Sequence, residues 1–443
     1  MKEMRLVRLY GTMDIDEEGV LNIGDIDVKK LISEYGSPLI VLDEKEIRDN
    51  INQYLEGLSS YNADYKVLYA SKAFANRTLY RIFHEKGISL DVVSGGELYT
   101  ALEADFPAEE IYFHGNNKLP SEIEMALDNN IGGFFVDNFQ EAELLNKLAS
   151  NKNKKVEVMI RLTPGIAAHT HDFMVTGTVD SKFGVGIDNG DAEKLLELIV
   201  NKYDNLKFKG IQAHIGSQIY EQQGFMKLIE IMFEFMDEMK RKMGIEMEKL
   251  DLGGGLGIPH TEDDPIIPIK KYIKEMVEKV QKEAKKYDYP LPELMVEPGR
   301  SIIGTAGTTL YKIGMIKDIK DIKKYITIDG GMADNIRPSL YGAEYDAYLA
   351  NKCNCERDEE VTIAGKCCET GDILIEDLKL PEVESGDILA VTCTGAYTYA
   401  LSSNYNGIPR PAIVLVNDGE SNLIVKRENY KDLLKHDLIP AGY

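Results

Sequence analysis

The chain has 443 residues, 44% of them apolar and 28% charged, which fits an ordinary water-soluble balance and is too long for one core, so two domains are expected. Its formal charge of −23 opposes phosphodiester backbones and argues against nucleic acid as a partner. No apolar run approaches the roughly eighteen residues of a membrane span, and the charged start MKEMRLVRLYGT lacks the apolar core of a secretory signal.

Residues 1–35 hold a strand-like and a helix-like stretch whose domain membership the pattern leaves open. From there, short β-branched or aromatic runs alternate with helical patterns. The runs are Tyr65–Ser71, Ser89–Ser94, Ile111–Asn116, Gly133–Asn138, Val156–Leu162, Phe208–Gly216, Lys249–Gly255 and Leu294–Gly299. Between the last of them, Phe225, Leu228, Ile229, Met232, Phe235, Met236 and Met239 mark one apolar helix face, and Ile273, Met276, Val277, Val280 and Ala284 another. Eight strands alternating with helices predict an α/β fold: a (β/α)8 TIM-type barrel over 36–303. After 303 the rhythm changes. Thr309–Ile319, Tyr325–Asp329, Glu360–Ala364, Asp387–Cys393, Ala412–Asn417 and Leu423–Lys426 read as strands without long helices between them, a mostly antiparallel β-sandwich or β-barrel domain.

In such a barrel, chemistry collects at the C-terminal strand ends. Those ends carry Lys72, Asp91 with Ser94, His114 with Asn116, Asp137, Arg161, His214 with Ser217, Gly253–Gly255, and Glu297 with Arg300. Polar groups at nearly every end point to a site rather than to ordinary loop chemistry. The run DLGGGLG after the seventh strand and EPGR after the eighth stand where these barrels often bind phosphate, because backbone without Cβ lets amide groups approach an anion. A tight turn would use the same glycines. The Walker pattern is absent, so a nucleoside triphosphate cradle is not supported. Lys72, in YASKAFAN, is a candidate to bond a carbonyl cofactor, since a low-dielectric mouth favours the neutral amine. An imine-forming lysine, a phosphate cradle and a carboxylate for a ring nitrogen together suggest pyridoxal 5'-phosphate.

In these residues and their surroundings the sequence resembles the fold-type-III pyridoxal-phosphate-dependent decarboxylases that share the alanine-racemase-like barrel. The matching stretches are YASKAFAN, DVVSGGEL, HGNNK, DSKFGVG, HIGSQ, DLGGGLGI, EPGRSI, DGGMADNIRPSLY, CETGD and GAYTYALSSNYNGIPRP, in the family's order. The resemblance implies that Lys72 holds the cofactor covalently, that His214 stacks on the pyridine face, and that Ser217, Gly253, Gly254, Gly255, Gly299 and Arg300 surround the phosphate. Glu297 is implied as the partner of the pyridine nitrogen, where racemases of this fold place an arginine. Cys368 is implied as proton donor to the decarboxylated carbon, with Glu369 on the substrate, both supplied by the partner subunit of a homodimer. Tyr397 is implied at cofactor and substrate, and Arg300, Arg337 and Tyr341 at a substrate carboxylate. The family also folds residues 1–35 together with 304–443. The implied reaction is decarboxylation of meso-2,6-diaminopimelate to L-lysine, with ornithine, lysine, arginine or carboxynorspermidine as alternative substrates, and racemization or non-catalytic cofactor binding as more distant readings. An arginine pair suits a substrate with a second carboxylate.

Two departures from the family stand in KCCETGD: threonine replaces the usual serine, and Cys367 precedes the expected cysteine. Cys353, Cys355, Cys367 and Cys368 do not have the usual zinc spacing, and five cysteines in so long a chain do not make a disulfide framework, so reduced thiols in a cytoplasmic enzyme are expected. His169 and His171 form an H-x-H, but no metal is expected there.

Overall fold

The computed structural model describes residues 8–165 and 181–443. His169 and His171 lie outside the described residues. The chain divides into two compact units, one built from 50–258 and 266–301, the other from the residues before 50, 259–265 and 302–443.

The first unit is a closed barrel of eight parallel strands. They are β1 (Tyr65–Ala70), β2 (Ser89–Val92), β3 (Ile111–Phe113), β4 (Gly133–Val136), β5 (Val156–Thr163), β6 (Leu206–Gln212), β7 (Lys249–Asp251) and β8 (Glu293–Val296). Each pairs with the next, and β8 returns to β1 through Leu294–Tyr65, Met295–Lys66 and Val296–Val67. Six of the eight strands begin where the expected runs do, and six end two to four residues earlier, because the chain leaves the ladder near the residues that carry the polar groups. A two-residue strand, Val185–Gly186, adds to β5.

Alternation along the strands sets what the barrel encloses. Leu68, Tyr112, Phe135, Met159 and Met295, from β1, β3, β4, β5 and β8, form one buried cluster. Strands this far apart around the barrel meet only through its interior, so these side chains point inward. Two residues further along the same strands come His114, Asp137, Arg161 and Glu297. The inward face therefore passes from an apolar layer to a polar one at the C-terminal end. The opposite end holds ion pairs instead: Lys66 with Glu110 at 2.5 Å, and Lys249 with Glu157 at 3.2 Å and Glu293 at 3.4 Å.

The helices bury the stripes read from the sequence. Gln223–Met243 buries Phe225, Leu228, Ile229, Met232, Phe235, Met236 and Met239, and ends at Gly244 with φ +68, where a side chain would be strained. Ile269–Lys286 buries Ile273, Met276, Val277, Val280 and Ala284. No helix among the described residues is long and apolar enough to cross a membrane.

The second unit is a mixed, mostly antiparallel sheet. Gly307–Ile319 pairs antiparallel with Lys323–Ile328, Ile388–Val391 and Leu39–Asp43. Leu39–Asp43 also lies parallel to Ala412–Asn417, and Lys323–Ile328 parallel to Glu359–Ala364. Leu39–Asp43, placed within the barrel span by the sequence reading, is thus hydrogen-bonded into this second sheet. Two of its strands were not anticipated, Ala347–Leu349 and Ile373–Leu380.

Candidate active site

Lys72 follows β1 in a short 3-10 turn, Ser71–Ala73, and is exposed while Ser71 and Ala73 on either side of it are buried. The turn fixes the backbone from which the long amine projects. Its charge reaches His214, Asp91 and Glu297, shifting the proton affinity of each.

Glu297 directly follows β8 and is buried at 7% exposure. Its carboxylate is held from two sides. Gln212 of β6 donates Nε2 to Oε2 at 2.9 Å, and Nε2 of His114, past the end of β3, lies against Oε1. Burial alone would raise the Glu297 carboxyl, but His114, His214 and Lys72 outweigh it and hold the group below the ordinary carboxylate range. Asp91 and Asp251 are pushed the other way, by burial first and then, among other charges, by Glu297. Three buried carboxylates thus share one mouth, and Glu297 is the one drawn below the ordinary carboxylate range while Asp91 and Asp251 are raised. His214 is pushed down to about 3, chiefly by burial and then by the charges of Lys72 and Arg161. It is a neutral ring, suited to stacking.

The glycine run answers to close packing of backbone. A Cβ on Gly254 would lie 2.0 Å from the Glu297 carbonyl oxygen, and one on Gly255 would lie 2.2 Å from that of Gly216. Gly253 and Gly255 also have φ of +67 and +124, and Asp251 Oδ1 accepts the Gly253 N–H at 2.7 Å. Beside the run, Arg300 donates Nη2 to Ser217 Oγ at 3.2 Å. Gly299 packs against Ala70 and Ala73, which flank the lysine turn. A cradle with no room for Cβ, an arginine–serine pair, an anionic carboxylate and a nearby lysine fit the phosphate, ring nitrogen and aldehyde of a pyridoxal phosphate. Asp91 Oδ1 and Gln212 Oε1, buried without a hydrogen-bond partner among the described residues, leave polar capacity for a ligand.

In the second unit, Cys368 and Glu369 are exposed at the turn before Ile373–Leu380. The Cys368 N–H donates to Asn406 Oδ1 at 2.6 Å and Tyr405 OH donates to Glu369 Oε2 at 3.2 Å. Cys367 is buried, and burial followed by Asp372 pushes its thiol up to about 12, consistent with a structural role. Asp372 accepts the backbone N–H groups of Met332 and Cys367, each at 2.7 Å, and so ties this turn to the DGGMADN segment. Arg337 is buried with its guanidinium bonded to Tyr345 OH, Tyr341 is half-buried, and Tyr397 takes φ +60. Cys353, Cys355, Cys367, Cys368 and Cys393 are all free thiols.

The structure brings together Glu297 with His114 and Asp91, noted from the sequence only as strand-end residues, and with Gln212, which the sequence reading passed over. Gln212 precedes His214 by two positions on the same alternating face, a signal that could have found it. Donor atoms of Asp91, His114 and Glu297 lie within 4.8 Å of one another, close enough for a small cation as well.

The comparisons with known proteins agree with this geometry. Residues 44–304 match the family model for the pyridoxal-dependent decarboxylase, pyridoxal binding domain. The chain is 49% identical over 422 residues to a diaminopimelate decarboxylase of Bacillus methanolicus, covering 95% of this chain and 98% of that one. It is 46% identical to the corresponding enzyme of Bacillus subtilis (strain 168), covering 97% and 98%. Among solved structures, the M. jannaschii diaminopimelate decarboxylase in complex with L-lysine superposes with a TM-score of 0.89 at 35% identity, covering 97% of this chain and 98% of that one. That of Helicobacter pylori, also complexed with L-lysine, gives 0.84 at 28%, covering 92% and 98%.

Proposed function

The chain belongs to the diaminopimelate decarboxylases within the pyridoxal-dependent decarboxylases, and we propose that its residues divide the conversion of meso-2,6-diaminopimelate to L-lysine and CO2 as follows. Lys72 Nζ holds pyridoxal 5'-phosphate covalently, and Gly253–Gly255, Gly299, Ser217 and Arg300 receive its phosphate. His214 lies on the ring face, where its neutral imidazole adds no charge. Glu297 accepts the N–H of the pyridine nitrogen. When bound, the cofactor supplies an electron sink for the carbanion left as CO2 departs. The observation that carries this reading is the anionic, doubly held Glu297 beside the glycine cradle. A carboxylate favours the protonated pyridine, and a protonated ring withdraws electrons most strongly.

Arg300, Arg337, Tyr341, Tyr397 and Glu369 orient the substrate, with the arginines on its distal carboxylate. Cys368 Sγ delivers the proton to the carbon that lost CO2. Cys368 and Glu369 serve the barrel of the partner subunit in a homodimer, and the enzyme works in the cytoplasm on a free amino acid. Ornithine, lysine and arginine lack the second carboxylate, so each leaves an arginine unpaired. That loss is worth roughly 1.5–3 kcal/mol, about one to two powers of ten in specificity.

One experiment tests the reading. CO2 release is measured on meso-diaminopimelate, lysine, ornithine and arginine, and the cofactor is fixed with borohydride and located by peptide mapping. Preference for diaminopimelate with the adduct on Lys72 is expected. An adduct on another lysine, or equal rates on the diamines, would overturn it.

A further inference from the structure

The contact between His114 and Glu297 has a built frame. The His114 backbone N–H donates to Val92 O at 2.8 Å, which extends the β2–β3 ladder by one residue. The imidazole then lies flat on the Phe135 ring, with centroids 3.7 Å apart and planes at 15°. Phe135 is itself part of the apolar layer with Leu68, Tyr112, Met159 and Met295. A ring held by its backbone on one side and by a packed aromatic on its face is restrained in its plane, and in that plane Nε2 lies against Glu297 Oε1. Gln212 takes the other oxygen. The two oxygens of Glu297 are thus gripped by side chains from β3 and β6, strands on opposite sides of β8 in the barrel order.

Resting on the reading of Glu297 as partner of the pyridine nitrogen, we propose that His114 is a positioning residue that orients the Glu297 carboxylate for the cofactor. The need follows from the neighbours. Asp91 and Asp251 are buried carboxyls in the same mouth, and an unassisted Glu297 would compete with them for a proton. His114 opposes burial at both Glu297 and Asp91, but of the two only Glu297 ends below the ordinary carboxylate range. A stacked imidazole suits the task better than lysine, because it presents its ring nitrogen from a fixed plane rather than from a flexible stem.

The test compares His114→Gln and His114→Asn, each alone and combined with Glu297→Gln, after reconstitution with pyridoxal phosphate. Glutamine retains an N–H at about the reach of Nε2; asparagine withdraws it. His114→Asn is expected to keep its circular dichroism and its borohydride adduct on Lys72. Its visible absorption band should shift, its cofactor should dissociate faster, and kcat should fall by roughly 10- to 100-fold with KM little changed. His114→Gln should lie between it and the parent. In the Glu297→Gln background either His114 change should add little, since both act through one carboxylate. Fully additive losses, or an unchanged band and kcat, would overturn the role of His114 while leaving the cofactor reading intact. An adduct missing from Lys72 in the parent protein would instead count against the cofactor reading itself. A stoichiometric divalent cation retained by the parent and lost from His114→Asn would assign the Asp91–His114–Glu297 trio to metal binding and overturn the proposal. If His114→Asn does not fold, His114→Gln and its combination with Glu297→Gln decide by the same additivity.

Discussion

Gln212 and Glu297, on strands separated by β7, are joined by a 2.9 Å hydrogen bond across the barrel mouth. Because an amide N–H is a donor only, the bond commits Glu297 Oε2 to accepting and favours the ionised carboxylate. Glu297→Gln should therefore fold normally yet decarboxylate slowly. The neutral amide neither favours the pyridinium nor fits the Gln212 donor in the same way. Removing one preorganised charge of this kind typically costs about 100- to 1000-fold in kcat. Stopped-flow and steady-state rates at full cofactor occupancy check it, and unchanged turnover would remove Glu297 from this role.

Gly254→Ala should fail at the cradle. The added methyl would sit 2.0 Å from the Glu297 carbonyl oxygen, and rigid strand ends cannot retreat far. The cost is expected at about 1–3 kcal/mol of stability, with weakened cofactor binding. Gly342→Ala is the control: φ +60 strains it, but nothing crowds its Cβ, so cofactor affinity should stay as in the parent. Denaturant melts and cofactor titrations of the two variants separate local crowding from general destabilisation.

The barrel could be read from the sequence because each β-branched run is local and each helix stripe has its own period. Val156–Thr163 and Gly133–Val136 announce themselves without reference to anything distant. Leu39–Asp43 could not be placed this way. Its partners, Gly307–Ile319 and Ala412–Asn417, lie more than 250 residues away, and an apolar strand carries no mark of which sheet will take it. The site divides along the same line. Lys72, the glycine run and Glu297 sit in recognisable short motifs, whereas the grip on Glu297 depends on His114 and Gln212 arriving from strands far apart in the chain. Ile373–Leu380 was hidden by its charged, exposed face, which reads as a loop.

Asp334 gives a pH dependence with a definite sign. Burial, followed by weaker contributions from Asp372 and Asp329, raises its carboxyl to about 7, although Tyr311 OH and the Gly331 N–H both donate to it. An unfolded aspartate titrates near 4. Between those values the folded chain binds the extra proton, so this group's stabilisation is full below about pH 4 and is lost as pH rises through 7. The whole loss corresponds to roughly 4 kcal/mol at most. Asp334→Asn, neutral at every pH, should flatten that slope, so its melting temperature should gain on that of the parent protein between pH 5 and pH 8. Thermal melts at the two pH values, with the opposite ordering, would refute it.

The proposed sharing of residues between subunits leads to a prediction about assembly. Lys72 and Glu297 belong to the barrel unit, while Cys368 and Glu369 belong to the β unit and are exposed on their own protomer. A closed two-fold dimer can present the same pair to the partner's barrel, and each site would then draw residues from both chains. Lys72→Ala and Cys368→Ala homodimers should each be nearly inactive. Unfolding and refolding them together should make about half of the dimers mixed. In a mixed dimer both defects fall on one site, and the other site is assembled entirely from intact residues. Activity should therefore return to roughly a quarter of the parent value, scaling with the heterodimer fraction seen by native mass spectrometry. Heterodimers that form without any recovered activity would show that each chain completes its own site.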